Sequence, residues 1–110
     1  MIVLPLSNAE GAPLFEVSHD VAGVPLTFVF DWLDMAQRWR LEIRDAQGIV
    51  LATATHVVAN YPFVVRRRAS MPEVLFIFWR EYGDADPGLL DFDDSTVVLQ
   101  AFVRDDEAFA

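Results

Sequence analysis

The 110-residue chain contains neither cysteine nor lysine. The absence of cysteine excludes a disulfide framework, a thiolate metal site and a thiol nucleophile. All 8 basic residues are arginines, so catalysis through a lysine Schiff base and phosphate binding by a P-loop lysine are excluded as well. Arginine instead favours fixed, bidentate or stacked contacts.

Long apolar runs and export signals are missing too. No stretch approaches the roughly 18 to 20 consecutive apolar residues that a transmembrane helix needs, so we expect a soluble chain with no membrane contact. The first residues, MIVLPLSNAE, are apolar but lack the basic region and the small-residue cleavage site of a signal peptide. Export by that route is therefore not expected.

The chain carries a formal net charge of -9, from 17 acidic and 8 basic residues. Proteins that bind the phosphate backbone neutralise it with clustered Lys and Arg, so this charge argues against nucleic acid as a partner. Apolar residues make up 54% of the sequence and aromatic residues 13%, which is rich for a soluble chain. We expect a single domain over residues 1–110 with some apolar surface buried against a partner.

Two segments alternate between apolar and polar residues with the period of a β-strand. Their apolar positions are Val24, Leu26, Phe28 and Phe30 in the first segment and Trp39, Leu41 and Ile43 in the second. The other face of the second segment carries the charged residues Arg38, Arg40, Glu42 and Arg44. This is the pattern of a strand with one buried and one solvated face.

The second of these segments ends in DAQG, which places Asp45 and Gly48 where a turn needs a side-chain acceptor and a positive φ. We therefore predict a hairpin with IVLATATHVV, the segment that follows. Between the two alternating segments, DWLDMAQR is either a broad loop or one helical turn that Asp34 caps.

Further strand candidates with β-branched and aromatic bias are LFEVSHDV at residues 14–21, EVLFIFWREY and STVVLQAFVRD. The first of them joins the strand at Val24 through a tight connection at Ala22 and Gly23. None shows the period of a long amphipathic helix. We predict an all-β fold, a compact antiparallel barrel or sandwich of about six or seven short strands with little helix.

Motifs for catalysis are weak. Ser18, His19 and Asp20 have the residue types of a catalytic triad, but neighbouring strand residues point to opposite faces and cannot form one. His19 and His56 lack further ligands at the spacing of a zinc site. With no phosphate loop or dinucleotide fingerprint either, we expect no cofactor and no enzymatic activity.

The loop GDADPGLLDFDD is rich in carboxylates: Asp84, Asp86, Asp91, Asp93 and Asp94. Oxygen-rich loops bind Ca²⁺, but an EF-hand counted from Asp84 would place its bidentate Glu at Ser95. A solvated, turn-forming loop is therefore favoured over a metal site.

The run Arg66, Arg67 and Arg68 departs from the acidic composition. With Tyr61 and Phe63 nearby, it has the residues of a nucleic-acid patch, although the surrounding acidity opposes that function. Arginines beside aromatics are also typical of protein interfaces. Pairing of these arginines with the acidic loops remains a third interpretation.

The order of features over residues 13 to 103 resembles a family of small phage tail proteins, the cyanophage-type baseplate plug domain. The resemblance begins with VPLTFVFDW, the loop LDMAQR and WRLEIRDAQGIVLA, in which Trp39, Asp45 and Gly48 match the family's tryptophan and turn. It continues in VVANYPFVVRRR, where Pro62 and the arginine run match, and in MPEVLFIFW and TVVLQAFV. Asp34 stands where the family commonly has Asn, and Phe102 where it has Tyr.

This resemblance implies a non-enzymatic part of a phage or phage-derived tail, located in the virion baseplate and assembled in the host cytoplasm. Such a plug occupies or lines the axial region and contacts other baseplate, hub or tube proteins as a symmetric oligomer. The expected interface residues are Tyr61, Phe63, Arg66, Arg67, Arg68 and Trp79. The expected core and turn residues are Trp39, Asp45, Gly48 and Pro62. No specific contact with nucleic acid is expected.

Two alternatives keep a β-barrel but give it another function. The first is a small ligand-binding barrel whose Phe and Trp side chains line a roomy apolar cavity. The second is a single-stranded nucleic-acid module of OB type, which needs a basic groove with aromatic residues.

Overall fold

The computed structural model describes residues 2–6, 11–21, 23–65, 73–81, 83, 85–89, 91–92 and 97–103. Within these ranges the chain forms strands and turns and no helix, which confirms the predicted all-β fold. The eight strands are β1 (Ile2–Leu4), β2 (Leu14–Val21), β3 (Val24–Leu33), β4 (Arg38–Arg44), β5 (Val50–Ala54), β6 (Phe63–Val65), β7 (Val74–Arg80) and β8 (Val97–Val103). The sequence predicted six or seven strands because β1 and β6, of 3 residues each, are too short to show a period.

The strands form two four-stranded antiparallel sheets with the orders β1-β8-β7-β6 and β2-β3-β4-β5. The second sheet is a run of consecutive hairpins. Val21 pairs with Val24, so the predicted tight connection is confirmed, with Gly23 at a φ of 78°; Ala22 lies outside the described residues.

The predicted hairpin of β4 and β5 is confirmed. Oδ1 of Asp45 accepts hydrogen bonds from the backbone N–H groups of Gln47 and Ile49, both at 2.9 Å. Gly48 has a φ of 81°, a conformation that glycine adopts without a steric penalty. Asp45 therefore stabilises the turn with its side-chain acceptor, and Gly48 allows the positive φ that the turn requires.

The segment before β4 forms a tight hairpin rather than a broad loop or a helical turn. Strand β3 extends to Leu33, and Trp32 pairs with Trp39 of β4. Asp34 sits in the turn, where its carbonyl accepts a hydrogen bond from the Gln37 side chain at 2.6 Å. Continued pairing with β4 keeps the chain extended, so Asp34 supports the turn and caps no helix.

The two sheets stack face to face, and their facing aromatic side chains form the core. The largest fully buried side chains are Trp39, Phe28, Phe30, Phe76, Phe78 and Phe92. Ring centroids of Phe28 and Phe76 lie 5.7 Å apart and those of Phe30 and Phe78 6.0 Å apart, so edge-to-face contacts join the sheets. Since rings occupy this interior, the ligand-binding alternative gains no support from the described part of the chain.

The loop between β7 and β8 is held in place by the side chains of Trp39 and Arg80. Nε1 of Trp39 donates a hydrogen bond to the carbonyl of Gly88 at 3.0 Å. Arg80, at the end of β7, binds the carboxylate of Asp91 and the carbonyl of Ala85. Asp91 is thus engaged in an ion pair, while Asp84, Asp93 and Asp94 of the predicted acidic loop lie outside the described residues.

Candidate protein interface

The outer face of the β1-β8-β7-β6 sheet is apolar. Strand alternation points the buried Val74, Phe76 and Phe78 of β7 inward and Leu75, Ile77 and Trp79 outward. The outward side chains of the four strands are Val3, Val64, Leu75, Ile77, Trp79, Val98, Gln100 and Phe102. We call these residues the apolar sheet face; Gln100 is their one polar member.

The members of the apolar sheet face lie in adjoining rows across the sheet. Leu75 is opposite Phe102, and Trp79 is opposite Val98. Val64 extends the first row onto β6, because it pairs with Leu75. Cross-strand neighbours are about 5 Å apart, so these side chains form one continuous surface.

The outer face of the other sheet is charged. In β4 the carboxylate of Glu42 binds Arg40 at 2.8 Å and Arg44 at 2.6 Å. The hydrogen bond from Arg44, followed by that from Arg40, lowers the pKa of Glu42 below its ordinary value of 4.5. Strand β2, which is separated from β4 by β3, exposes Glu16 and Asp20, so the outer face of this sheet presents charged side chains to water.

The sequences of the strands account for the difference between the two outer faces. Strand β4 reads RWRLEIR and alternates strictly, whereas β7 reads VLFIFWR and β8 reads VVLQAFV. Near-continuous apolar runs are typical of strands that are covered on both faces. Within the described residues only the inner face is covered by the other sheet, and the outer face leaves Trp79 43% and Val64 47% exposed.

The structure describes three of the predicted interface residues, and each of these has a different environment. Trp79 belongs to the apolar sheet face, and Tyr61, which precedes β6, is 71% exposed. Phe63 points inward instead and stacks on Phe76 with ring centroids 5.5 Å apart. The run Arg66 to Arg68, which follows β6 in sequence, lies outside the described residues.

The predicted core and turn residues also differ in exposure. Trp39 has no exposed surface and lies among Phe15, Phe30 and Phe92. Pro62 is exposed in the loop before β6. Its restricted φ therefore affects the entry into β6 rather than the core.

A side chain that the sequence reading did not single out fixes the loop that carries Tyr61. Oδ1 of Asn60 accepts a hydrogen bond from the backbone N–H of Arg80 at 2.7 Å, and its Nδ2 donates to the Arg80 carbonyl at 3.0 Å. The Asn60 N–H donates to the carbonyl of Phe78 at 2.8 Å. Asn60 thereby occupies the edge of β7 beyond the short β6 and places Tyr61 beside it.

The two histidines link the sheets rather than forming an active site. Nε2 of His19 lies 2.7 Å from the carbonyl of Pro5, and Nε2 of His56 lies 2.7 Å from Oδ2 of Asp86. Ser18 and Asp20 are exposed on the opposite side of β2 from His19, so the triad arrangement is absent, as the strand geometry predicted. In the part of the chain that the structure describes, no group of three or more His, Cys, Asp or Glu side chains is placed to hold a metal ion.

The described residues contain no helix long and apolar enough to cross a membrane.

The comparison with known proteins identifies the family. The model of the family described as cyanophage baseplate Pam3 plug gp18 matches residues 1–103, a range that includes all eight strands. No curated protein and no solved structure matches the chain. The chain therefore belongs to the cyanophage baseplate plug family and is a structural protein of the virion tail baseplate.

Proposed function

We propose that this protein is a non-enzymatic subunit that plugs or lines the axial hub and tube region of the baseplate and binds neighbouring tail proteins. The observation that carries the proposal is the apolar sheet face, which no other described segment covers, in a chain of the baseplate plug family. Contiguous apolar surface on a soluble protein marks an interaction site more often than chance exposure. We propose that residues 1–110 form one domain.

The contacts with neighbours are centred on the end of β7. Trp79 and Tyr61 are exposed there, and Trp, Tyr and Arg are the residues that most often dominate binding energy at protein interfaces. The arginine run that follows β6 in sequence, Arg66 to Arg68, is proposed to add charged contacts with neighbouring proteins at the edge of the apolar sheet face. Phe63 supports this surface from beneath, since its ring packs on Phe76 and Phe78.

The net charge of -9 suits a protein that lines a channel for DNA. An acidic wall repels phosphates, so the genome passes without adhering to the subunit. For the same reason we propose no specific nucleic-acid partner. Closed symmetry about the tail axis would place identical copies around the channel.

Deletion of the gene tests this function. Particles without the protein are expected to carry tails with incomplete or unstable distal ends, visible by electron microscopy, and to lose infectivity or injection. An epitope tag at the C-terminus, with bound antibody imaged on the tails, is expected to label the distal end. Tails of normal structure and activity without the protein would contradict the proposal.

A further inference from the structure

We propose that Arg80 is a positioning residue of the candidate interface: it ties the β7–β8 loop (residues 81–96) to the β5–β6 loop (residues 55–62) and thereby holds Tyr61 in its exposed place near the end of β7. The inference rests on the proposed function, in which Tyr61 contacts a neighbouring tail protein. Three observations carry it: the inward direction of the Arg80 side chain, the contacts of this residue with both loops, and the contacts between the loops.

The side chain of Arg80 points into the end of the sandwich. The inward side chains that precede it on β7 are Val74, Phe76 and Phe78, and strand alternation directs Arg80 to the same side. Its side chain is only 12% exposed, although arginine usually lies at the surface. Burial of a charged group costs free energy unless other groups satisfy it, so the position of Arg80 depends on the groups that bind it.

The guanidinium of Arg80 binds the β7–β8 loop at two places. Its Nε donates a hydrogen bond to the carbonyl of Ala85 at 2.8 Å, and its Nη2 donates one to Oδ2 of Asp91. The same carboxylate oxygen accepts a hydrogen bond from the backbone N–H of Gly88 at 2.7 Å. The segment from Ala85 to Asp91 is therefore tied to the last residue of β7.

The backbone of Arg80 holds the β5–β6 loop. The Asn60 side chain accepts a hydrogen bond from the Arg80 N–H at 2.7 Å and donates one to the Arg80 carbonyl at 3.0 Å. Tyr61 directly follows Asn60 in the sequence and is 71% exposed. One residue thus binds the β7–β8 loop through its side chain and the loop of Tyr61 through its backbone.

The two loops also contact each other directly. Nδ2 of Asn60 donates a hydrogen bond to the carbonyl of Gly83 at 3.1 Å, and Nε2 of His56 lies 2.7 Å from Oδ2 of Asp86. The carbonyl of Ala85, which the guanidinium binds, lies between these two contacts in sequence. Removal of the guanidinium is therefore expected to loosen the place where the loops meet and, with it, the β5–β6 loop.

Native-state hydrogen exchange of the purified chain tests this coupling. In Arg80→Gln the amide of Asn60, which donates to the Phe78 carbonyl, is expected to exchange about tenfold faster or more, because charged hydrogen bonds that hold the loops together are lost. The amide of Gly48, in the β4–β5 turn of the other sheet, should exchange at the wild-type rate. An unchanged rate at Asn60, or equal acceleration at both amides, would overturn the inference.

Three further variants control this experiment. Asp91→Asn removes the charge but keeps an acceptor for the Gly88 N–H, so it should accelerate exchange at Asn60 less than Arg80→Gln and tests the coupling if that variant does not fold. Arg80→Lys keeps the charge without the planar fork of donors and should restore the wild-type rate only in part. Arg44→Gln removes an arginine from the outer face of the other sheet and should leave the rate unchanged; acceleration there would overturn the inference.

Binding to tail particles assembled without this protein separates positioning from a general loss of stability. Tyr61→Ala is expected to lower the apparent affinity about tenfold in the wild-type chain but only about twofold in Arg80→Gln, where the loop no longer holds the tyrosine in place. In Arg44→Gln the full loss should remain. Additive losses in Arg80→Gln would overturn the inference, whereas a wild-type chain that binds no particles would overturn the proposed function, a result distinct from the exchange rates.

Discussion

The indole of Trp39 donates a hydrogen bond to the carbonyl of Gly88 at 3.0 Å. This bond joins a central strand of one sheet to the loop that connects β7 and β8 of the other. Phe92, in the same loop, lies 5.6 Å from the Trp39 ring. Trp39 thus holds the loop that follows β7 in place. The outward side chains of β7 itself form the centre of the apolar sheet face.

Replacement of Trp39 by Phe is expected to destabilise the fold by about 2 kcal/mol. The change removes buried ring volume and leaves the Gly88 carbonyl without its donor. Urea unfolding followed by circular dichroism measures the loss. Trp32→Phe is the control, since Trp32 is only half-buried and should cost less than half as much; equal losses would contradict the special role of Trp39.

Gly48→Ala is expected to destabilise the β4–β5 hairpin by about 1 kcal/mol. Its φ of 81° is a conformation that alanine adopts only with strain, although the space around the position is open. Gln47→Ala in the same turn serves as the control and should be close to neutral. A Gly48→Ala variant as stable as the wild type would show that the turn relaxes to another conformation.

Asn60→Gly is expected to cost about 1 to 3 kcal/mol, because it keeps a residue suited to the φ of 59° but removes the amide that pairs with Arg80. Hydrogen exchange at the Arg80 amide should accelerate in this variant. Asn60→Asp, which retains the acceptor for that amide, should slow the exchange again. Equal exchange in the wild type and the Gly variant would refute the role assigned to the side chain.

The pH dependence of stability should include a contribution from Glu42 that disappears in acid. Its pKa in the folded protein is held below 4.5 by Arg44 and Arg40. A carboxyl group with a lowered folded pKa stabilises the fold above its unfolded pKa, and this stabilisation is lost as the pH falls through the folded value. In an NMR titration, Arg44→Gln should raise the pKa of Glu42 towards 4.5; an unchanged pKa would contradict the pairing.

The sequence predicted the charged sheet well and the apolar sheet only in part. Strict alternation around Trp39, Leu41 and Ile43 identified both faces of β4, because one face meets the core and the other meets water. The continuous runs of β7 and β8 predicted strands but not which residues point outward. Only the register of the sheet, in which Leu75 lies opposite Phe102, resolves this and reveals the apolar sheet face.

The short strand β6 shows why the candidate interface could be predicted only in part. Tyr61 and Trp79 are exposed, but Phe63 points into the core and Val64 points out. A strand of 3 residues is too short to show a period. Phe63 was therefore assigned to the predicted interface by its aromatic character alone. The inward side is determined by pairing of Phe63 with Phe76 of β7, which is a long-range contact.

A cryo-electron microscopy map of the assembled baseplate tests the central claim most directly. The account predicts that this protein occupies the axial region, with Trp79 and its neighbours on β7 and β8 packed against another tail protein. The charged outer face of β4 should remain in contact with solvent. A map in which the apolar sheet face is exposed to solvent and the charged face is buried would contradict the account.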